Sequence, residues 1–178
     1  MCAICELALT FSIEHPMALA VAVATRDAIE AGRLPAASDK KAEGPLHARR
    51  QAIETLQGVQ RRLEAALAPE RLVALPDFFV LLIENGTWGF FRATAAGFDT
   101  NIRPEAPEID ADDPRDRDPV VVTSETAARE LVAGRLSFDS AAAGGLVVFD
   151  VDEDRRADLT EAWRAAWPSA GVSRFVCV

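Results

Sequence analysis

Hydrophobic and polar positions alternate along this chain with two periods, helical at both ends and strand-like in the middle. Residues 2–13 hold Ile4, Leu7, Leu9 and Phe11 with little polar relief, a pattern that predicts a short helix. Pro16 closes it, because proline disfavours the α conformation in the residue before it, here His15. Pro16 also suits the first turn of a second helix, which runs to about Ala31 and stops at Gly32. The first half of that helix, MALAVAVA, is apolar on every side, which predicts burial, against the rest of the fold or a second copy of the chain. From Pro35 to Pro45 the stretch PAASDKKAEGP mixes Pro, Gly, Ser and charge and reads as a linker. Ile53, Leu56, Val59, Leu63 and Leu67 then recur at helical spacing and form the stripe of a third helix from about Leu46 to Leu67. Arg49, Arg50, Glu54, Arg61, Arg62 and Glu64 give it a solvated surface.

The period changes at DFFVLLIENGTWGFFRATAAG. Two runs of aromatic and branched residues flank Asn85-Gly86, which predicts a tight hairpin. The first run is apolar on both faces, with Phe79, Leu81 and Ile83 on one and Phe78, Val80 and Leu82 on the other. A strand of this kind is sandwiched between layers or lines a cavity. The second carries Trp88 and Phe90 on one face and Phe91 on the other. A weaker third strand spans Phe98 to Arg103. Glu105–Pro119 is acidic and proline-rich and reads as a mobile loop, without the ligand spacing or central glycine of an EF-hand. Val120–Val122 is a strand, followed by a helix capped by Thr123 or Ser124, with Glu125 favourable in its first turn and Gly134 at its end. LVVFDV is another strand, Arg155–Trp167 a last helix stopped by Pro168, and RFVCV an extended tail. Clustered strands beside segregated helices predict an α+β fold. The organisation is an N-terminal helical extension (1–34), a linker (35–45) and an α+β domain (46–178).

A chain of 178 residues suits one domain with an extension. Its net charge of −9 argues against nucleic acid and against anionic membrane surfaces as partners. Met17–Ala24, the longest apolar run near the start, is too short to span a bilayer. Glu6 and Glu14 stand where a signal peptide needs basic residues, so a cytoplasmic location is expected. In that setting Cys2, Cys5 and Cys177 are thiols or ligands rather than a disulfide framework.

Cys2 and Cys5 would share one face of a helix, and with His15 and Cys177 they could complete a four-ligand zinc site. They could instead form a redox pair, or fill a buried helix face as small apolar side chains. His15, before a proline at a helix start, is a base, a ligand or a structural residue. Ser137, Asp139 and Ser140 lack the Gly-x-Ser-x-Gly elbow. Paired carboxylates occur only in the acidic loop, where burial does not raise a pKa. No nucleophile, base and oxyanion site can be assembled from these residues.

Between residues 120 and 151 a strand leads to a helix ending in Leu131, Gly134 and Leu136, then to Ala141, Gly145 and the strand Leu146–Val148. With the Asn85-Gly86 hairpin and Trp88, this resembles sterol carrier protein 2-like domains over roughly residues 50–168. Two features depart from that family: Asp150-Val151-Asp152 replaces its usual Gly-Asp, and the first 45 residues have no counterpart. The resemblance implies a mixed or antiparallel sheet of about five strands with helices packed on one face and an internal apolar tunnel. It implies non-catalytic binding of a lipid or acyl chain, or an adaptor role. Phe79, Leu81, Ile83, Trp88 and Phe90 are then the expected cavity wall, although a filled core requires the same residue types. Two other readings are a zinc-binding regulatory or assembly protein using Cys2, Cys5, His15 and Cys177, and a homodimeric module paired through the Met17–Ala31 helix.

Overall fold

Thirteen elements make up a computed structural model that describes residues 9–10, 14–36, 44–99 and 101–169. In chain order they are β1 (Leu9–Thr10), α1 (Ala18–Glu30), α2 (Gly44–Ala66), α3 (Pro69–Val73), β2 (Phe78–Leu82), β3 (Thr87–Phe91), β4 (Ala93–Thr94), β5 (Gly97–Phe98), β6 (Val120–Thr123), α4 (Glu125–Val132), α5 (Phe138–Ala143), β7 (Val147–Asp150) and α6 (Glu153–Ala166). The expected α+β class is what forms. A five-stranded mixed sheet has the order β1-β3-β2-β6-β7, and β4 and β5 form a separate two-stranded ribbon. Only β2 and β6 run parallel within the sheet, with Val80 opposite Val121; Phe79 faces Phe90 and Leu81 faces Trp88 across the β2–β3 hairpin.

Period-two alternation assigns the two faces of the sheet. Phe78, Val80, Leu82, Phe91, Val121 and Val147 point into the main core, where Leu56, Val59 and Leu63 of α2, Leu131 of α4 and Leu159 and Trp163 of α6 cover them. Phe79, Leu81, Trp88, Val120 and Val122 point the other way, onto Val21 of α1 and Ile109. Helices therefore lie on both faces, not one. The two-sided apolar character of β2 is explained by this second layer.

Other expectations change as well. Leu9–Thr10, placed in a helix by their apolar spacing, form an edge strand paired with Trp88 and Thr87; the rest of residues 2–13 that carried the helix reading lies largely outside the described residues. MALAVAVA is not buried all round. Val21 is buried, whereas Leu19 is 74% and Val23 53% exposed, because α1 covers the sheet with a single stripe. The hairpin turn has four residues, Ile83–Gly86, instead of two. Gly86 takes φ +56° but Asn85 has no positive φ, and a type I′ turn needs both. Ile83 and Glu84 thus leave the strand for the turn. The weak third strand expected over Phe98 to Arg103 does not form at 101–103; it overlaps the short β4–β5 ribbon only at Phe98.

The acidic loop is held in place. The Arg155 guanidinium donates to the carbonyls of Pro114, Arg115 and Arg117 at 3.3, 3.0 and 3.0 Å while paired with Asp152, which also caps α6. Three backbone carbonyls that a metal ion could have gathered are gathered instead by an arginine of the last helix.

Gly58 sets the approach of α2 to α4: a Cβ there would lie 2.7 Å from Cγ1 of Val132. Val132 is β-branched and stiff, so it gives way poorly. Gly58→Leu is expected to cost about 1–3 kcal/mol of unfolding free energy by overpacking. Chemical denaturation checks this, and an unchanged midpoint would contradict the close α2–α4 contact.

Candidate functional site

The open volume beside α1 is where the structure brings candidate residues together. Ala18, Ala22, Thr25 and Ile29 succeed one another at helical spacing and so share the face of α1 turned toward the end of the sheet. A cleft of about 550 Å³ at the start of α1 is lined by Glu14, His15, Ala18, Leu19, Leu81 and Ile83. A groove of about 360 Å³ further along is lined by Ala22, Thr25, Ile29, Ile83, Glu84, Ser124 and Thr126. Ile83 borders both. The two thus lie side by side, with Ile83 between them, as a trough that runs roughly 16 Å between positions 18 and 29 of α1 at the helical rise per residue.

The five residues expected to wall a cavity separate here. Leu81 and Ile83 line the trough. Phe79 and Trp88 are interlocked instead, with ring centroids 6.2 Å apart and edge-on, and Phe79 lies 4.8 Å from the Phe90 ring. Trp88 is fully buried and Phe79 nearly so. These spaces form a surface trough at the hairpin's end, and Phe79, Trp88 and Phe90 pack against one another beside it. The five expected wall residues therefore divide, because residue type is the same for a wall and for a plug.

His15 sits at the inner end of the trough with its side chain fully buried. Its Nδ1 accepts the N–H of Met17 at 3.2 Å, which leaves the neutral ring's proton on Nε2. Nε2 lies 3.2 Å from Asp150 Oδ2 but poorly aligned for a hydrogen bond. Burial pushes the imidazole below its ordinary pKa, and the charges of Asp150 and Asp110 oppose that. With one nitrogen committed to the backbone and the other facing a carboxylate, His15 anchors the start of α1 to strand β7.

Among the described residues no group of three or more His, Cys, Asp or Glu is placed to hold a metal ion. Cys2, Cys5 and Cys177, the other candidates for zinc, lie outside the described residues.

Two carboxylates distant in sequence also meet here. Glu84 accepts the N–H groups of Glu125 at 2.7 Å and, more weakly, of Thr126 at 3.4 Å, and so caps α4 together with Ser124, whose hydroxyl accepts from Ala127. Glu125, half-buried beside Glu84, is raised above its ordinary pKa, first by burial and then by that neighbour. The reading that paired carboxylates occur only in the acidic loop is therefore corrected. The sequence signal was the turn itself: a four-residue hairpin turn projects Glu84 toward the next helix start.

Neither family models nor curated proteins nor solved structures give a match to this chain. The likeness to sterol carrier protein 2-like domains therefore draws nothing from these comparisons. Of the residues that suggested it, Gly134 and Gly145 take φ +71° and +68°, which L side chains rarely adopt, and Leu131, Ala141 and Leu146 are buried in the main core. They explain how α4, α5 and β7 are joined, and none of them lines the trough.

Proposed function

We propose that the protein binds a single-chain apolar ligand non-covalently in the trough beside α1. The carrying observation is that Leu19, Ala22, Ile29, Leu81 and Ile83, from α1 and the end of the β2–β3 hairpin, border adjoining spaces of about 550 and 360 Å³. Volumes of this size, apolar with a few polar groups, suit a small amphiphile. The carrier character expected from the sterol carrier protein 2-like resemblance agrees with this reading, with the ligand moved from the interior to the surface. No helix of the described residues is long and apolar enough to cross a membrane.

Titration calorimetry with 1-octanol tests the proposal. Saturable binding is expected for the native protein, weakened about tenfold or more by Ile83→Asp, which places a charge where the chain would lie. Absence of saturable binding, or indifference to Ile83→Asp, counts against it.

A second reading is pairing of two copies through α1. The exposed Met17 and Val23 at the start and middle of α1 favour this. Sedimentation equilibrium decides it: a dimer dissociated by Val23→Glu is expected, and a monomer at all concentrations removes it.

A further inference from the structure

We propose that the trough selects ligands carrying a primary ammonium head group, with Thr25 and Glu84 as the head-group site. The inference rests on the trough reading above and adds the ligand's polar end.

Three features of the groove point this way. Thr25 is only 8% exposed and its hydroxyl oxygen is buried without a hydrogen-bond partner, although it borders an open groove. A buried hydroxyl left unmade costs about 1–3 kcal/mol, so a ligand group that bonds it has a stabilising task to perform. Beside it stands the Glu84 carboxylate, and the charge of Glu84 reaches Glu125, so negative charge accumulates at this end.

An anionic head group could accept from the Thr25 hydroxyl, but it meets opposition from the charges around it. The N-terminus of α4, the natural place for an anion, already holds the carboxylate of Glu84. Arg26, the cation bordering the groove, is paired with Glu30 at 2.8 Å. A fatty carboxylate would have to displace one of the protein's own carboxylates and enter a chain of net charge −9. An ammonium has three donors and no acceptor. A turn about χ1 that exchanges the Thr25 methyl and hydroxyl brings the buried oxygen to the groove, where the ammonium can donate to it and to Glu84 while its alkyl chain follows Ala22, Ile29 and Ile83.

The test compares octylamine, 1-octanol and octanoate, of equal chain length, by calorimetry at pH 7 and low salt. Octylamine is expected to bind about tenfold or more tighter than octanoate, a gap that narrows as salt screens it. Glu84→Gln keeps a side-chain oxygen for the α4 amides and is expected to remove most of the preference for the amine. Thr25→Val, equal in shape, is expected to weaken octylamine and octanol, because it removes the hydroxyl that each can bond. Circular dichroism of both variants confirms that they are folded. Equal binding of all three ligands overturns the head-group assignment and leaves the trough standing. Tighter binding of octanoate overturns it as well. Failure of all three to bind removes the trough reading, and the assignment with it.

Discussion

Trp163→Ala is expected to lower the unfolding free energy by about 3–5 kcal/mol, a large part of what a domain of this size possesses. Trp163 projects from α6 into the main core and is fully buried. Its ring centroid lies 4.7 Å from that of Trp167, 5.8 Å from Phe149 and 6.2 Å from Phe138. Those partners belong to three different segments, the end of α6, β7 and α5, so a cavity at this point cannot be closed by moving one of them. The indole N–H is buried without an acceptor among the described residues. Trp163→Phe is therefore expected to cost much less than alanine, because it removes volume but no hydrogen bond. Urea denaturation of both variants checks the pair. A loss below about 1 kcal/mol for alanine would show that α6 does not close the core.

His15→Ala is expected to destabilise by about 2 kcal/mol at pH 7, and to abolish a pH dependence that the native protein shows. The alanine loses the acceptor for the Met17 N–H at the start of α1, a deletion of the kind that costs about 0.5–2 kcal/mol, and a buried ring that contacts Trp88. The pH dependence follows from burial. The folded protein holds the His15 pKa below its ordinary 6.5, so below that value the unfolded chain takes up a proton that the native state refuses. The contribution is fully present above about pH 6.5 and is lost as pH falls toward the folded pKa, at a slope of at most about 1.4 kcal/mol per pH unit. Asp150 on β7, Asp110 in the acidic loop and the neighbouring Glu14 are the charged groups around the ring. Asp150 and Asp110 favour the protonated form and moderate the slope. Glu130, Asp139 and Asp152 are held below the ordinary carboxylate range, so their losses come at lower pH. Glu125, raised above its ordinary pKa, gains stability as pH falls and works against this trend, so the comparison of native protein with a His15 variant between pH 7 and 5 isolates His15. His15→Asn keeps an acceptor but cannot titrate there, and should remove the part that falls with pH. A native curve parallel to that of His15→Asn over this range would contradict the buried neutral histidine.

Local signals in the chain were sufficient for the elements of the main core. The stripe Ile53, Leu56, Val59 and Leu63 gave α2, and Gly134 gave the end of α4; its start was narrowed to Thr123 or Ser124, of which Ser124 is the cap. The apolar runs around Asn85-Gly86 gave β2 and β3. What failed depended on contacts distant in sequence. Leu9 and Thr10 pair with Thr87 and Trp88, a match that apolar spacing alone cannot distinguish from a helix. The second layer needed Val21 and Ile109 to meet across the sheet. The acidic loop looked mobile because its anchor, Arg155, lies 38 to 41 residues further on.

The site divides along the same line. Leu81 and Ile83 were legible as apolar strand-end residues, but periodicity gives no sign of which apolar side chains border a void and which fill one. Phe79 and Trp88 therefore carried the same signal as Ile83 and ended in contact with each other. His15 was legible as a residue of interest and not as the partner of Asp150, 135 positions away. Glu84 was hidden by the expectation of a two-residue turn. Had Asn85 adopted a positive φ, Ile83 and Glu84 would have stayed in the strand, and the trough would lack its shared wall.

Side-chain NMR during titration with octylamine tests the location of binding most directly. Saturable shifts are expected at Ala22, Thr25, Ile29 and Ile83, with Val80, Leu56 and Val59 in the main core unmoved. Shifts centred on those core residues instead, or none that saturate, would contradict a ligand bound beside α1.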